Sequence, residues 1–227
     1  TVTNIEFIGD VEFPTKFDFA STKVGGLSGI SYDKNSGIYY SISDDQSENN
    51  AARFYTVDID LSDGSLDDGD VEFTSLTTLL NKDRALFPQN SILPEGIVFN
   101  GENLLISSEG NFNNGIAPFV SEFSLAGQQL NELGIPDKFL PAPNIPQGIR
   151  NNLAFESLTI TPNEGFLYTA NENSLLQDGE ISTLENEGTS RIIKYDLRAG
   201  EAVKEFLYTV DSIPCLLYTS DAADDLV

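Results

Sequence analysis

The sequence contains no histidine, no methionine and no tryptophan, a single cysteine, and only 12 basic residues against 36 acidic ones in 227 positions. Without histidine, these residues can build no Ser-His-Asp triad, no imidazole zinc site and no histidine general base. Any metal site built here must use oxygen ligands, which suit Ca²⁺ or Mg²⁺. The shortage of Lys and Arg leaves a net charge of −24. That balance excludes nucleic acid as a partner, because its phosphates demand basic side chains. It also argues against anionic membrane surfaces, and it fits solubility and cation binding. No apolar run approaches the ~20 residues of a transmembrane helix. The absent initiator Met predicts a processed or truncated N-terminus, and no signal peptide is visible.

The lone cysteine, Cys215, opens the stretch CLLYTSDAADD at 215–225. This stretch reads as the in-frame translation of a sequencing-library adapter. Residues 215–227 are therefore expected to be a non-native tail, and the natural chain is expected to continue past Pro214. On that reading the cysteine carries no redox information. Removing Asp221, Asp224 and Asp225 still leaves −21, so the acidic character does not depend on the tail. A hydrophobic fraction of 40% supports a genuine core in one domain over 1–214.

What is present is a repeat. GGLSGISYDKNSGIYYSISDD (25–45), LPEGIVFNGENLLISSEG (93–110) and LAFESLTITPNEGFLYTANEN (153–173) share one plan. A small or acidic opening leads into an alternating apolar strand. A turn containing Asn and Gly follows, and then a second apolar strand ends in Ser or Asn plus an acid. A third strand is predicted after each hairpin, at 52–61, 117–125 and 190–197, and a fourth at 70–80, 128–134 and 201–210. Residues 75–85 are the best helical candidate. Four antiparallel strands recurring every 60 to 70 residues predict a β-propeller, with about three blades in this chain. The segment VTNIEFIGDVEF (2–13) is expected to form an outer strand that completes another blade.

The repeat register aligns Glu95 and Glu156 as hairpin openings, where the first repeat has Ser28. It aligns Asp44, Glu109 and Glu172 as closings, with Asp45 beside Asp44. Antiparallel strands return to the end they left, so both acids of a hairpin should face the same rim of the propeller channel. Like charges gathered there call for a cation or for raised pKa values. Six to eight oxygens satisfy Ca²⁺, a number the rim could supply with carbonyls and water. The acids expected to ligate are Asp44, Asp45, Glu95, Glu109, Glu156 and Glu172, against the plainer reading of solvated turn residues. Arg53 and Arg191 each start a third strand and read as intra-blade salt bridges. Arg150 is the better candidate for ligand contact. The turn DLSDGSLDDGD (60–70) lacks the EF-hand order and reads as solvated.

Taken in order, these motifs resemble the phytase-like family, also described as the esterase-like activity of phytase. The resemblance covers about residues 20–210. It implies a β-propeller, an exported or cell-surface bacterial protein of a kind common in cyanobacteria among others, and a phosphoester or ester hydrolase. One departure is that Ser157 stands where the family has glycine after the acid. Two functions from different classes follow. In the first, Glu95 and Glu156 are catalytic, Arg150 binds phosphate, and Ca²⁺ on the rim acids assists hydrolysis of a small-molecule ester or phosphoester. In the second, the propeller is a non-catalytic binding or surface module whose Ca²⁺ is structural. Fold alone does not decide between them.

Overall fold

The computed structural model describes residues 4–142 and 144–212. The predicted tail at 215–227 lies outside them. Three four-stranded antiparallel sheets account for nearly all of the regular structure. A short hairpin of β1 (Asp18–Phe19) and β2 (Thr22–Lys23) precedes them. Blade 1 comprises β3 (Leu27–Asp33), β4 (Ile38–Ser43), β5 (Arg53–Ile59) and β6 (Val71–Thr78). Blade 2 comprises β7 (Pro94–Phe99), β8 (Leu104–Ser108), β9 (Phe119–Phe123) and β10 (Gln129–Glu132). Blade 3 comprises β11 (Phe155–Ile160), β12 (Phe166–Asn171), β13 (Gly188–Asp196) and β14 (Glu201–Val210). Each sheet is ordered as the chain runs, with each strand beside the next. The first strands β3, β7 and β11 pack consecutively side by side, which is the arrangement of blades around a propeller axis.

Alternation supplies the core. Tyr40, Ile42 and Phe54 of blade 1 interdigitate with Ile97, Leu104, Ile106 and Phe123 of blade 2. Val98, Leu105 and Val120 on the other face of blade 2 pack with Phe155, Leu167, Ile193 and Tyr195 of blade 3. Blade 2 is thus buried on both faces, and β8 reads LLISS with every residue buried. The outer face of blade 1 is covered by Phe17 and Phe19, which meet Tyr55 and Phe73 around the small hairpin. The innermost strands approach closely. A Cβ on Gly96 would sit 2.8 Å from the Leu158 backbone nitrogen of the next blade. Ser157, which departs from the family glycine at the equivalent place in blade 3, is exposed.

One expectation is corrected. Residues 75–85 are not helical: β6 runs through Thr78, and a turn follows in which the Asn81 side chain accepts from the Asp83 and Ala85 amides. β-branched threonines favour the strand, and the Thr56 hydroxyl bonds across to Thr74 and Ser75. The described part of 2–13 forms no strand with these three blades. It makes one bridge, Gly9 to Leu66, in which the Leu66 amide donates to the Ile8 carbonyl at 2.9 Å. The only helices among the described residues are two 3₁₀ turns, Phe112–Asn114 and Asp137–Phe139.

Candidate functional site

The same local event opens each inner hairpin. The pairing of β3 with β4 skips Ser28, since Leu27 faces Ser43 and Gly29 faces Ile42. The pairing of β11 with β12 skips Glu156 in the same way, and in β7 the slip falls across Glu95 and Gly96. Ser28, Glu95 and Glu156 are therefore the extra residues of three equivalent β-bulges. A bulge bends its strand and re-aims the unpaired side chain. The closings repeat as closely: the amides of Asp44, Glu109 and Glu172 donate to the carbonyls of Gly26, Leu93 and Ala154, at 2.8, 3.0 and 2.8 Å.

These two devices bring acids from different blades to one place. Glu109, Glu156 and Glu172 each offer a carboxylate oxygen, and the three oxygens lie within 4.8 Å of one another. Glu109 is only 3% exposed, and its Oε1 accepts a hydrogen bond from the Ala154 amide of blade 3. Glu95 adjoins the group at 8% exposure. Burial pushes its carboxyl up to about 10, and the charges of Glu156, Glu109 and Asp44 push in the same direction, against a hydrogen bond with Ser28. Asp44 belongs to the same electrostatic neighbourhood, but its carboxylate lies back over Gly26. A Cβ on Gly26 would stand 1.6 Å from Asp44 Oδ1, and the residue has φ +54°, so a side chain there would be strained and would displace that carboxylate.

Two predicted site residues are not presented to this group. Asp45 Oδ1 accepts from the Glu48 and Asn49 amides, and Oδ2 accepts from the Asn50 amide and Arg53 Nη1. These bonds hold its carboxyl below the usual range despite burial. The ligand expected at Asp45 is thus a loop anchor. Arg150 donates through Nε to the Ser174 carbonyl and through Nη2 to the Gly179 carbonyl, so its guanidinium ties down the 174–179 loop. Arg53 and Arg191 are the structural pairs expected: Arg53 with Asp45, and Arg191 with Asp178 and Glu205. In the 60–70 turn, Asp60, Asp63 and Asp70 cap local amides at the surface. Sequence reasoning missed Ser28 as the hydroxyl partner of Glu95. Its place in the repeat, opposite two glutamates, was the available signal.

The donor set contains oxygens only, held on strand ends rather than on free loops. Three carboxylates this close repel unless a proton or a cation intervenes. The chemistry therefore fits a hard divalent cation such as Ca²⁺.

A family model described as "Phytase-like: Esterase-like activity of phytase" matches residues 22–225. No curated protein matches. Among solved structures, the chain is similar to the Dos1 propeller, with 11% identity over 80% of this chain and a TM-score of 0.44. It is also similar to the periplasmic gluconolactonase PpgL of Pseudomonas aeruginosa, with 9% identity over 87% of this chain and a TM-score of 0.41. It spans 37% of the first of those chains and 60% of the second. No helix among the described residues is long and apolar enough to cross a membrane.

Proposed function

The chain belongs to the phytase-like family, and from that premise we propose that its glutamate rim is the working centre of a metal-assisted hydrolase acting on small-molecule esters, phosphate esters included. The observation that carries this reading is the convergence of Glu109, Glu156 and Glu172 within 4.8 Å, beside a buried Glu95. Glu109, Glu156 and Glu172 are the residues that would hold Ca²⁺. When bound, that ion supplies charge neutralisation and Lewis-acid polarisation, which an acidic protein needs before an anionic ester can approach. The chain's own residues contribute orientation and a proton. The Ala154 amide fixes the Glu109 carboxylate, and the bulge fixes Glu156. Glu95 holds a proton through neutral pH and is oriented by Ser28, which suits it to donate to a departing alkoxide. Neutralising the charges of its neighbours brings its pKa down towards the working range. Arg150, committed to two carbonyls, has no part in this scheme. An exported location suits such a site, because extracellular Ca²⁺ modules work at millimolar metal.

Glu109 also favours a second reading. Its carboxylate bonds across from blade 2 to blade 3, so a cation beside it would brace the propeller without any turnover. A panel of aryl carboxylic esters and phosphate monoesters, assayed with Ca²⁺ and with chelator, separates the two. The hydrolase reading expects turnover that chelation abolishes and Ca²⁺ restores. The module reading expects no turnover and a melting temperature that falls on chelation.

A further inference from the structure

Beside the glutamate rim, blade 1 carries a cleft of about 410 Å³ that the scheme above does not use. Its wall is Asp44 and the loop that follows it, with the segment 23–26, Arg53, and Leu93 from blade 2. The loop is built in an unusual way. Asp45 accepts the amides of Glu48, Asn49 and Asn50, the Ser47 hydroxyl accepts the Ala52 amide, and the Asn90 amide donates to the Gln46 carbonyl. Arg53, itself 2% exposed, locks Asp45 from beneath. The backbone is therefore fixed. Yet the side chains of Gln46, Glu48, Asn49 and Asn50 make no hydrogen bond or ion pair among the described residues, and all four line the cleft.

In the equivalent loops of the other blades, one asparagine each is spent on the loop's own backbone. Asn111 caps the 3₁₀ turn through the Asn114 amide, and Asn173 accepts from the Ser174 and Ser182 amides. Blade 1 holds its loop rigid from below and presents three carboxamides and a carboxylate to the cleft. A fixed backbone carrying uncommitted polar groups spares the backbone part of the ordering cost of binding and leaves those groups available to a ligand.

The chemistry of the wall selects the ligand. Carboxamides offer donors and acceptors together, which match hydroxyl groups. The two cations at the cleft are already engaged, Lys23 by Asp18 and Arg53 by Asp45. Asp44 and Glu48 keep its field negative, which turns anions away. Leu93 is the single aliphatic side chain on the wall, too little for an acyl chain or an aromatic ring. We propose that this cleft binds a neutral, hydroxyl-rich ligand, a sugar or polyol. Its position next to the rim makes it the seat of the alcohol half of the ester; that role, unlike the binding itself, rests on the hydrolase reading.

The test is titration of the full chain with neutral methyl glycosides and alditols, followed by saturation-transfer NMR and calorimetry, with a sugar phosphate as the anionic control. Binding of the neutral probes should persist in chelator. It should weaken about tenfold or more in the double variant Asn49→Ala/Asn50→Ala, whose melting temperature should stay at the parental value because those side chains support nothing. The sugar phosphate should bind more weakly than its neutral counterpart in chelator. Absence of neutral-probe binding, or equal binding by the double variant, overturns the proposal. A simple aryl ester read in parallel keeps the outcomes separate. Sugar binding without turnover retains the cleft and removes the hydrolase, whereas turnover without sugar binding does the reverse.

Discussion

Glu109 and Glu172 close the hairpins of different blades, yet both fasten to Ala154. The Ala154 amide donates to the Glu109 carboxylate, and the Ala154 carbonyl accepts the Glu172 amide at 2.8 Å. One residue, through its two flanking peptide groups, thus ties together two acids that would otherwise move apart. The acid cluster is consequently part of the blade-to-blade joint, and any perturbation of it should register in stability as well as in binding.

The first prediction separates charge from hydrogen bonding at that joint. Glu109→Ala leaves the buried Ala154 amide without its acceptor and should cost about 1–3 kcal/mol. Glu109→Gln keeps an acceptor and removes one of three crowded charges. In chelator it should be at least as stable as the parent, while losing most of any stabilisation by Ca²⁺. Thermal melts of the two variants, with and without Ca²⁺, check this; identical behaviour of the two would refute it.

The rim was legible because acids recur at one register, and register is set by a side-chain period of two. Residues 94 to 110 show the logic: Glu95 and Glu109 bracket a hairpin, so they must share an end. The bulges were not legible, since a skipped residue leaves no mark in an alternating pattern until the partner strand is known. Asp44 and Asp45 show the other limit. Adjacent acids look alike in sequence, but Arg53, eight positions on, claims only the second. The helical expectation at 75–85 failed because cross-strand partners such as Thr56 override weak local periodicity.

A second prediction concerns pH. The folded pKa of Glu95 is raised to about 10 from an ordinary carboxylate value near 4.5. Between those values the folded form holds a proton that the unfolded chain has released. Stability must therefore fall as pH rises through that window, by up to about 1.4 kcal/mol per pH unit for one proton. In chelator, Glu95→Gln should flatten the decline between pH 5 and 9, as read by denaturant titration at each pH. Parallel profiles for parent and variant would show that Glu95 is ionised when folded.

A third prediction follows from the same proton. A cation arriving beside Glu95 favours its ionised form, so Ca²⁺ binding near neutral pH should release protons. Calorimetry in buffers of different ionisation enthalpy should give apparent heats that differ by a fraction of a proton's worth per ion, because Glu95 is brought towards the working range and only partly ionised. Saturation at about 100 times the dissociation constant should raise stability by about 2.7 kcal/mol. The combined variant Glu156→Gln/Glu172→Gln should abolish both effects. Retention of either would place the cation somewhere other than this rim.

The fourth prediction tests the role assigned to the arginines. Arg53 is buried with Asp45 and also donates to the Tyr55 hydroxyl and the Lys23 carbonyl, at 2.6 and 2.8 Å. Arg53→Ala removes the counter-ion of a buried carboxylate that keeps only its three amide donors, and should cost about 3–5 kcal/mol. Arg150 is only half-buried and holds two loop carbonyls, so Arg150→Ala should cost about 1–3 kcal/mol and leave Ca²⁺ affinity unchanged. If instead Arg150→Ala left stability intact and removed turnover of phosphate esters alone, Arg150 would contact phosphate and its loop-tying role would be secondary. Urea unfolding and a phosphoester assay on the same preparation of Arg150→Ala distinguish the two outcomes directly, because one changes a midpoint and the other a rate.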